Sequence, residues 1–125
     1  MKRILILALL ALATVAHAEL PSAKEAAVKQ ALSSGKPTII DLGARTCIPC
    51  KKMAPILESL SGEYHGRANV LFIDVWEDKV SAQNFRVQMI PTQIFFNPQG
   101  KEVKRHMGFL DRSDILKELK GAGLK

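Results

Sequence analysis

Hydrophobic positions fall into two regimes along this chain. Residues 4–16 run without a charge, rich in Leu, Ile and Ala. Beyond residue 18 the apolar residues come in short, punctuated groups. There Ser22-x-x-Glu25 has the form of a capping box, and residues 26–32 continue as a good helix former. Gly35 ends that helix and Pro37 prevents its return. The β-branched run Thr38-Ile39-Ile40 predicts a buried strand over residues 37–43. Residues 47–64 predict a long helix with Met53, Ile56, Leu57 and Leu60 on one face, kinked at Pro55. Residues 70–75 read as a second apolar strand and 78–85 as a short helix. Residues 92–96 and 102–106 read as strands joined by the turn Asn97-Pro98-Gln99-Gly100. Asp111 caps a last helix whose apolar positions are Ile115, Leu116 and Leu119.

The predicted order is α, β, α, β, α, β, β, α. A right-handed crossover makes the first two strands parallel, and the last two form an antiparallel hairpin. The expected fold is α/β: a central mixed four-stranded sheet with helices on both faces, a three-layer α/β/α sandwich. The length of 125 residues allows one domain.

The first regime reads as an address rather than a fold element. Met1-Lys2-Arg3 is a positive start, the apolar run follows, and Ala16-His17-Ala18 places small residues where a signal peptidase reads them. Thirteen apolar residues at about 1.5 Å each span about 20 Å, short of a hydrocarbon core about 30 Å thick. Residues 1–18 are therefore expected to be a signal peptide cleaved after Ala18, leaving residues 19–125 as the domain in the periplasm, an exported and oxidising compartment. No cysteine follows the cleavage site, which argues against a lipid anchor.

Composition narrows the function. Two cysteines are too few for a disulfide scaffold, so the fold must rest on a hydrophobic core. The formal charge of +6 is spread along the chain and aromatics are only 6%, so the basic stripe and stacking platforms of a nucleic-acid binder are missing. His65 and His106 read as surface residues. Trp76, just after the second strand, reads first as a packed loop anchor and second as a neighbour of the sheet's carboxyl end, where ligands gather.

Cys47-Ile48-Pro49-Cys50 lies between the first strand and the long helix, and a Cys-x-x-Cys beside a βαβ pattern is a redox signature. Cys47 falls at the helix N-terminus, where unpaired N–H groups and the macrodipole favour a thiolate. Only the thiolate is nucleophilic. Pro49 suits the first turn because its missing N–H would have had no partner there. Cys50, one turn further in, is more buried; Cys47 is expected to attack and Cys50 to resolve. Arg45, Lys51 and Lys52 add weak positive potential. A purely structural disulfide closing so short a loop would stabilise by only about 2 kcal/mol. A zinc site would need four ligands, and covalent haem would need His where Lys51 stands. The contrasting function is a non-catalytic copper carrier using both thiols.

Asp41 interrupts the apolar run Ile39-Ile40-Asp41-Leu42, a costly place for a carboxylate unless it works or is paired. Lying six residues before Cys47, it could sit beneath the helix start and exchange a proton with Cys50; the bland alternative is a strand-end Asp reaching solvent. Ile90-Pro91-Thr92 precedes a strand, where Pro begins the strand or is cis. A cis bond would turn the backbone toward Cys47 and offer a substrate chain an edge to pair with; a plain turn proline fits the spacing equally. Met89 is placed to border that groove.

Together these pieces resemble the thioredoxin family: Asp41, Cys47-x-Pro49-Cys50-Lys51, Pro55 within Met53-Ala54-Pro55-Ile56-Leu57, Ile90-Pro91-Thr92 and Gly108. The similarity covers residues 38–119 and is nearest to exported bacterial thioredoxin-like proteins. It implies a thioredoxin fold, a cis Pro91 and reversible dithiol–disulfide exchange. It implies protein disulfides as substrates, bound along Met89, Ile90, Pro91, Ile48 and Pro49. Neither cofactor nor metal is called for, a monomer is expected, and an exported reductant would need a membrane thiol–disulfide reductase as electron donor. Departures from the family pattern are Thr46 and Gly43 where Trp is usual, Ile48 where Gly is usual, and Phe72 in place of the lysine that often accompanies the buried aspartate. With Phe72 beside it, Asp41 is expected to be harder to ionise. The family's N-terminal strand is expected to be missing.

Overall fold

The computed structural model describes residues 19–125; the signal-peptide reading lies outside the described residues. Eight elements follow in chain order: α1 (Glu25–Leu32), β1 (Thr38–Gly43), α2 (Ile48–Glu63), β2 (Asn69–Asp74), α3 (Lys79–Asn84), β3 (Thr92–Phe96), β4 (Glu102–Met107) and α4 (Arg112–Gly121). The strands form one sheet in the order β2-β1-β3-β4. β1 pairs parallel with β2 and antiparallel with β3, and β3 pairs antiparallel with β4.

Burial along each strand follows its place in the sheet. β1 is buried at every position, because it is central and covered on both faces, which removes the alternation of a one-sided strand. β4 is the edge, and its sequence EVKRHM is largely exposed, a charged strand that discourages pairing with another chain. On one face α2 and α4 pack through Met53, Leu57, Leu60, Ile115 and Leu119 onto Ile39 and Phe95. On the other, Val28 of α1 joins Ile40, Leu42, Ile73, Ile94 and Phe96. The three-layer expectation is met.

Local chemistry explains most element ends. Asp111 accepts from the Asp114 N–H at 2.9 Å and caps α4, and Asp78 does the same for α3 through Ser81. α2 runs unbroken through Pro55. The β3–β4 turn closes with Gly100 at φ 76°. A side chain there would also meet the Leu32 carbonyl at 2.5 Å, so glycine is required twice over.

One local expectation fails. Ser22 does not cap α1; the N-cap is Lys24, without a side-chain bond. Ser22 instead bridges to Phe72 on the outer side of β2, and its Oγ accepts from the Asp74 N–H at 2.9 Å. The Ala23 N–H donates to the Phe72 carbonyl at 2.7 Å. The missing N-terminal strand thus survives as a single bridge, and a long-range strand contact wins over the capping box.

Candidate active site

The site forms where three strand ends meet. β1 and β2 both finish there, Gly43 opposite Asp74. β3 starts there, with Thr92 opposite Leu42. The loop after β1 therefore delivers Cys47, and the loop before β3 delivers Met89, Ile90 and Pro91, to the same end of the sheet.

Cys47 is the N-cap of α2, in extended conformation at φ −76° and ψ 127°. Its carbonyl accepts from the Lys51 N–H at 2.9 Å, which closes the first turn and aims the helix's positive end at the cysteines. Cys47 and Cys50 are disulfide-bonded, with Cα atoms 5.1 Å apart. Cys47 is half-buried, whereas Cys50 is only 4% exposed. Pro49 stands in the first turn and is exposed. Ile48 presents 72% of its surface. Gly43 makes the close approach of helix and strand possible: a Cβ there would lie 3.2 Å from both Cβ and Sγ of Cys50.

Beneath the disulfide lies a cavity of about 20 Å³, bordered among others by Asp41, Cys50, Ala54, Leu57 and Phe72. That is room for one water molecule. Asp41 is 0% exposed, so the solvent-reaching alternative is excluded. Its Oδ1 accepts from Gln93 Nε2 at 3.0 Å. Its Oδ2 is buried and has no partner among the described residues. Burial pushes the carboxyl up from 3.8 to about 7, opposed by the Gln93 hydrogen bond. Phe72 is the strand partner of Asp41 and offers no charge to offset this, as the substitution implied.

Arg45 is engaged by the N-terminal segment and by Phe72. Its guanidinium donates to the Leu20 carbonyl at 2.8 Å, pairs with Glu19 at 3.1 Å and lies 4.9 Å over the Phe72 ring. Lys51 and Lys52 are exposed.

The second loop is firmly held. The Ile90–Pro91 bond is cis, as the resemblance implied. Thr92 Oγ1 donates to the Met89 carbonyl at 2.7 Å, and the Gly108 N–H donates to the Pro91 carbonyl at 2.7 Å. Met89 is 48% exposed and Pro91 buried. Trp76 corrects its first reading: it is 57% exposed, not a packed anchor, and it follows β2 at the same end of the sheet. Beneath it Asp74 ties the turn, accepting from the N–H groups of Trp76 at 2.9 Å and Glu77 at 3.2 Å.

His106 corrects a second reading. It is half-buried on β4, with Nδ1 2.9 Å from Oε1 of the fully buried Gln93. Gln93 escaped the sequence analysis, although a polar residue in the apolar strand TQIFF was a usable signal. Among the described residues, no group of three or more His, Cys, Asp or Glu side chains could hold a metal ion.

A vicinal cysteine pair at a helix start, on a mixed sheet with helices on both faces, defines a thiol–disulfide oxidoreductase. Comparison with known proteins agrees and gives the family. The sequence model for thioredoxin matches residues 19–121, and the chain belongs to the thioredoxin family. It is 42% identical over 77 residues to a thioredoxin of Staphylococcus saprophyticus, covering 62% of this chain and 73% of that one. It is 41% identical over 88 residues to a thioredoxin of Mycobacterium tuberculosis, covering 70% and 75%. Among solved structures, chloroplastic thioredoxin z superposes with a TM-score of 0.72 at 26% identity, over 84% of this chain and 95% of that one. A thioredoxin variant from Halobacterium salinarum superposes with a TM-score of 0.73 over 82% and 88%; at 24% identity that likeness speaks for the fold alone. Thioredoxins act on protein disulfides, and this chain carries a disulfide-bonded Cys-x-x-Cys pair.

Proposed function

We propose that the protein is an exported, periplasmic reductant of protein disulfides. The observation that carries the reading is the pairing of a half-exposed Cys47 at the start of α2 with a buried Cys50 over the cavity that Asp41 borders. In the dithiol form the Cys47 thiolate attacks one sulfur of a substrate disulfide. A Cys47–substrate bond forms, the substrate disulfide breaks, and the first substrate thiolate leaves. Asp41 then accepts the Cys50 proton. The Cys50 thiolate attacks Cys47 Sγ, releasing the second substrate thiolate and closing the Cys47–Cys50 bond. Both substrate sulfurs gain the electrons that the protein dithiol gives up. Ile48, Pro49, Met89, Ile90 and Pro91 form the surface on which the substrate chain lies.

Export rests on the layout of residues 1–18, with cleavage after Ala18. The reducing direction rests on Ile48-Pro49, which places neither a charge nor a side-chain donor between the cysteines. Strong oxidants stabilise their reduced form through a favoured thiolate, and this pair adds nothing to the helix end. A reductant in an oxidising compartment must be recharged, so a membrane thiol–disulfide reductase is the inferred donor. The protein acts as a monomer in this reading.

Reduction of insulin disulfides tests the division of labour. Cys47→Ser is expected to abolish turnover, and Cys50→Ser to accumulate a mixed disulfide between Cys47 and its substrate. A stable adduct on Cys50 in Cys47→Ser, with none in Cys50→Ser, would reverse the two roles.

A further inference from the structure

Asp41 belongs to a register row across the sheet that is polar on three of its four strands. Phe72, Asp41, Gln93 and His106 are successive register partners on β2, β1, β3 and β4. The last three are joined by hydrogen bonds of 3.0 Å and 2.9 Å. The row begins in the cavity under Cys50 and ends at His106, half-buried on the edge strand.

With Asp41 ionised, donor and acceptor counting gives the row a direction. An ionised carboxylate only accepts, so Gln93 must turn Nε2 toward Asp41 Oδ1. Oε1 is then the end that meets His106, and His106 must supply an N–H at Nδ1. Each bond thus depends on the next: the histidine holds the amide in one orientation, and the amide holds the carboxylate. Gln93 is 0% exposed, so no bulk water replaces either partner, and an orphaned amide oxygen there is expensive.

We propose that His106 is a positioning residue for the thiol chemistry, acting through Gln93 to occupy Asp41 Oδ1 and leave Oδ2 to the cavity shared with Cys50. The proposal rests on the reading of Asp41 as the proton acceptor and names the device that orients it. Removing the Nδ1 donor frees the amide to rotate, and Asp41 loses its steady hydrogen bond. That bond is what opposes the effect of burial on the carboxyl, so its loss favours the protonated acid.

Other groups near Asp41 contribute no comparable contact. From β2 it faces Phe72, and from α2 the cavity wall is Cys50, Ala54 and Leu57. The charged groups bordering the same cavity are Lys51, Arg45 and Glu19, of which the last two pair with each other. Along β4, alternation puts Lys104 on the face of His106, and Lys104 is exposed.

The test is an NMR titration of the Asp41 side-chain carboxyl in the reduced protein, with insulin reduction followed across the same pH range. His106→Phe is expected to raise the carboxyl midpoint by about half a pH unit or more and to carry the rising limb of the rate profile with it. His106→Asn, which keeps an N–H donor near the Nδ1 position, is expected to stay close to the parent. Gln93→Leu, which deletes the bond itself, is expected to shift the midpoint at least as far as His106→Phe. A midpoint unmoved in His106→Phe overturns the proposal, and His106→Ala gives the same reading should the larger side chain prevent folding. A shifted midpoint in His106→Phe beside a full exchange rate in Asp41→Asn would remove the acceptor reading while the row stands.

Discussion

A carboxyl fully out of solvent, with one oxygen bonded and the other unpartnered, is held far from the hydration an ion needs. For Asp41 that moves the midpoint from 3.8 to about 7. Because the folded value is the higher one, the stabilisation it brings is complete below about pH 4 and is lost as pH rises through about 7. At about 1.4 kcal/mol per pH unit, the loss is about 4 kcal/mol. Asp41→Asn is therefore expected to unfold at higher urea than the parent at pH 8, with the advantage gone near pH 4. Equal midpoints at pH 8 would mean that the carboxyl is not desolvated as described. The same variant is expected to slow disulfide exchange near neutral pH, since Cys50 loses its proton acceptor; stopped-flow rates check this. Asp41 was legible in the sequence because a lone charge in Ile39-Ile40-Asp41-Leu42 has few innocent explanations. Gln93 stood out only as a polar residue in the apolar strand TQIFF, and its link to Asp41 and His106 was not legible, because that partnership exists only through the pairing of β1, β3 and β4. Trp76 misled for a related reason: aromatic character favours burial, and nothing local says that a loop will leave the ring in solvent.

At the scale of elements, the boundaries of β1, α2 and β3 and the start of α4 were legible to within a residue or two, because caps, prolines and β-branched runs are local signals. The first helix shows where local signals stop. Ser22 and Glu25 have the right spacing for a capping box, yet Ser22 serves the end of β2, some fifty residues away in sequence. One backbone bridge, made by the Ala23 N–H to the Phe72 carbonyl, and one hydroxyl bond anchor the N-terminal segment there. Ser22→Ala is expected to lower stability by about 1 kcal/mol and to show no coupling with Glu25→Ala in a double-mutant cycle read by urea unfolding. A coupling energy of about 0.5 kcal/mol or more would restore the capping box. α2 depends on a different kind of support. Met53, Leu57 and Leu60 fix it to the sheet, and the bare Gly43 lets its first turn sit low enough to bury Cys50 while Cys47 remains reachable. The asymmetry between the cysteines is thus a property of helix placement rather than of either residue alone.

Over the whole molecule, the topology brings one helix start, two strand ends and one strand beginning to a single edge of the domain. Ile48, Trp76 and Met89 are all well exposed on the segments that meet there, an apolar rim suited to an extended protein chain rather than a small polar ligand. The fold and the cysteine pair were legible because they are carried by spacing. Direction of electron flow depends on the relative stability of two redox states, which no spacing encodes. It was read from what lies between the cysteines, Ile48 and Pro49, a pair with neither a charge nor a side-chain donor. Equilibration with a dithiothreitol redox buffer, with the Cys47–Cys50 bond followed by thiol alkylation, measures that balance directly. A reductant of this kind is expected to show a midpoint of about −270 mV, the reducing end of the range for such pairs. A midpoint near about −120 mV, the oxidising end, would contradict it and make the protein a donor of disulfides.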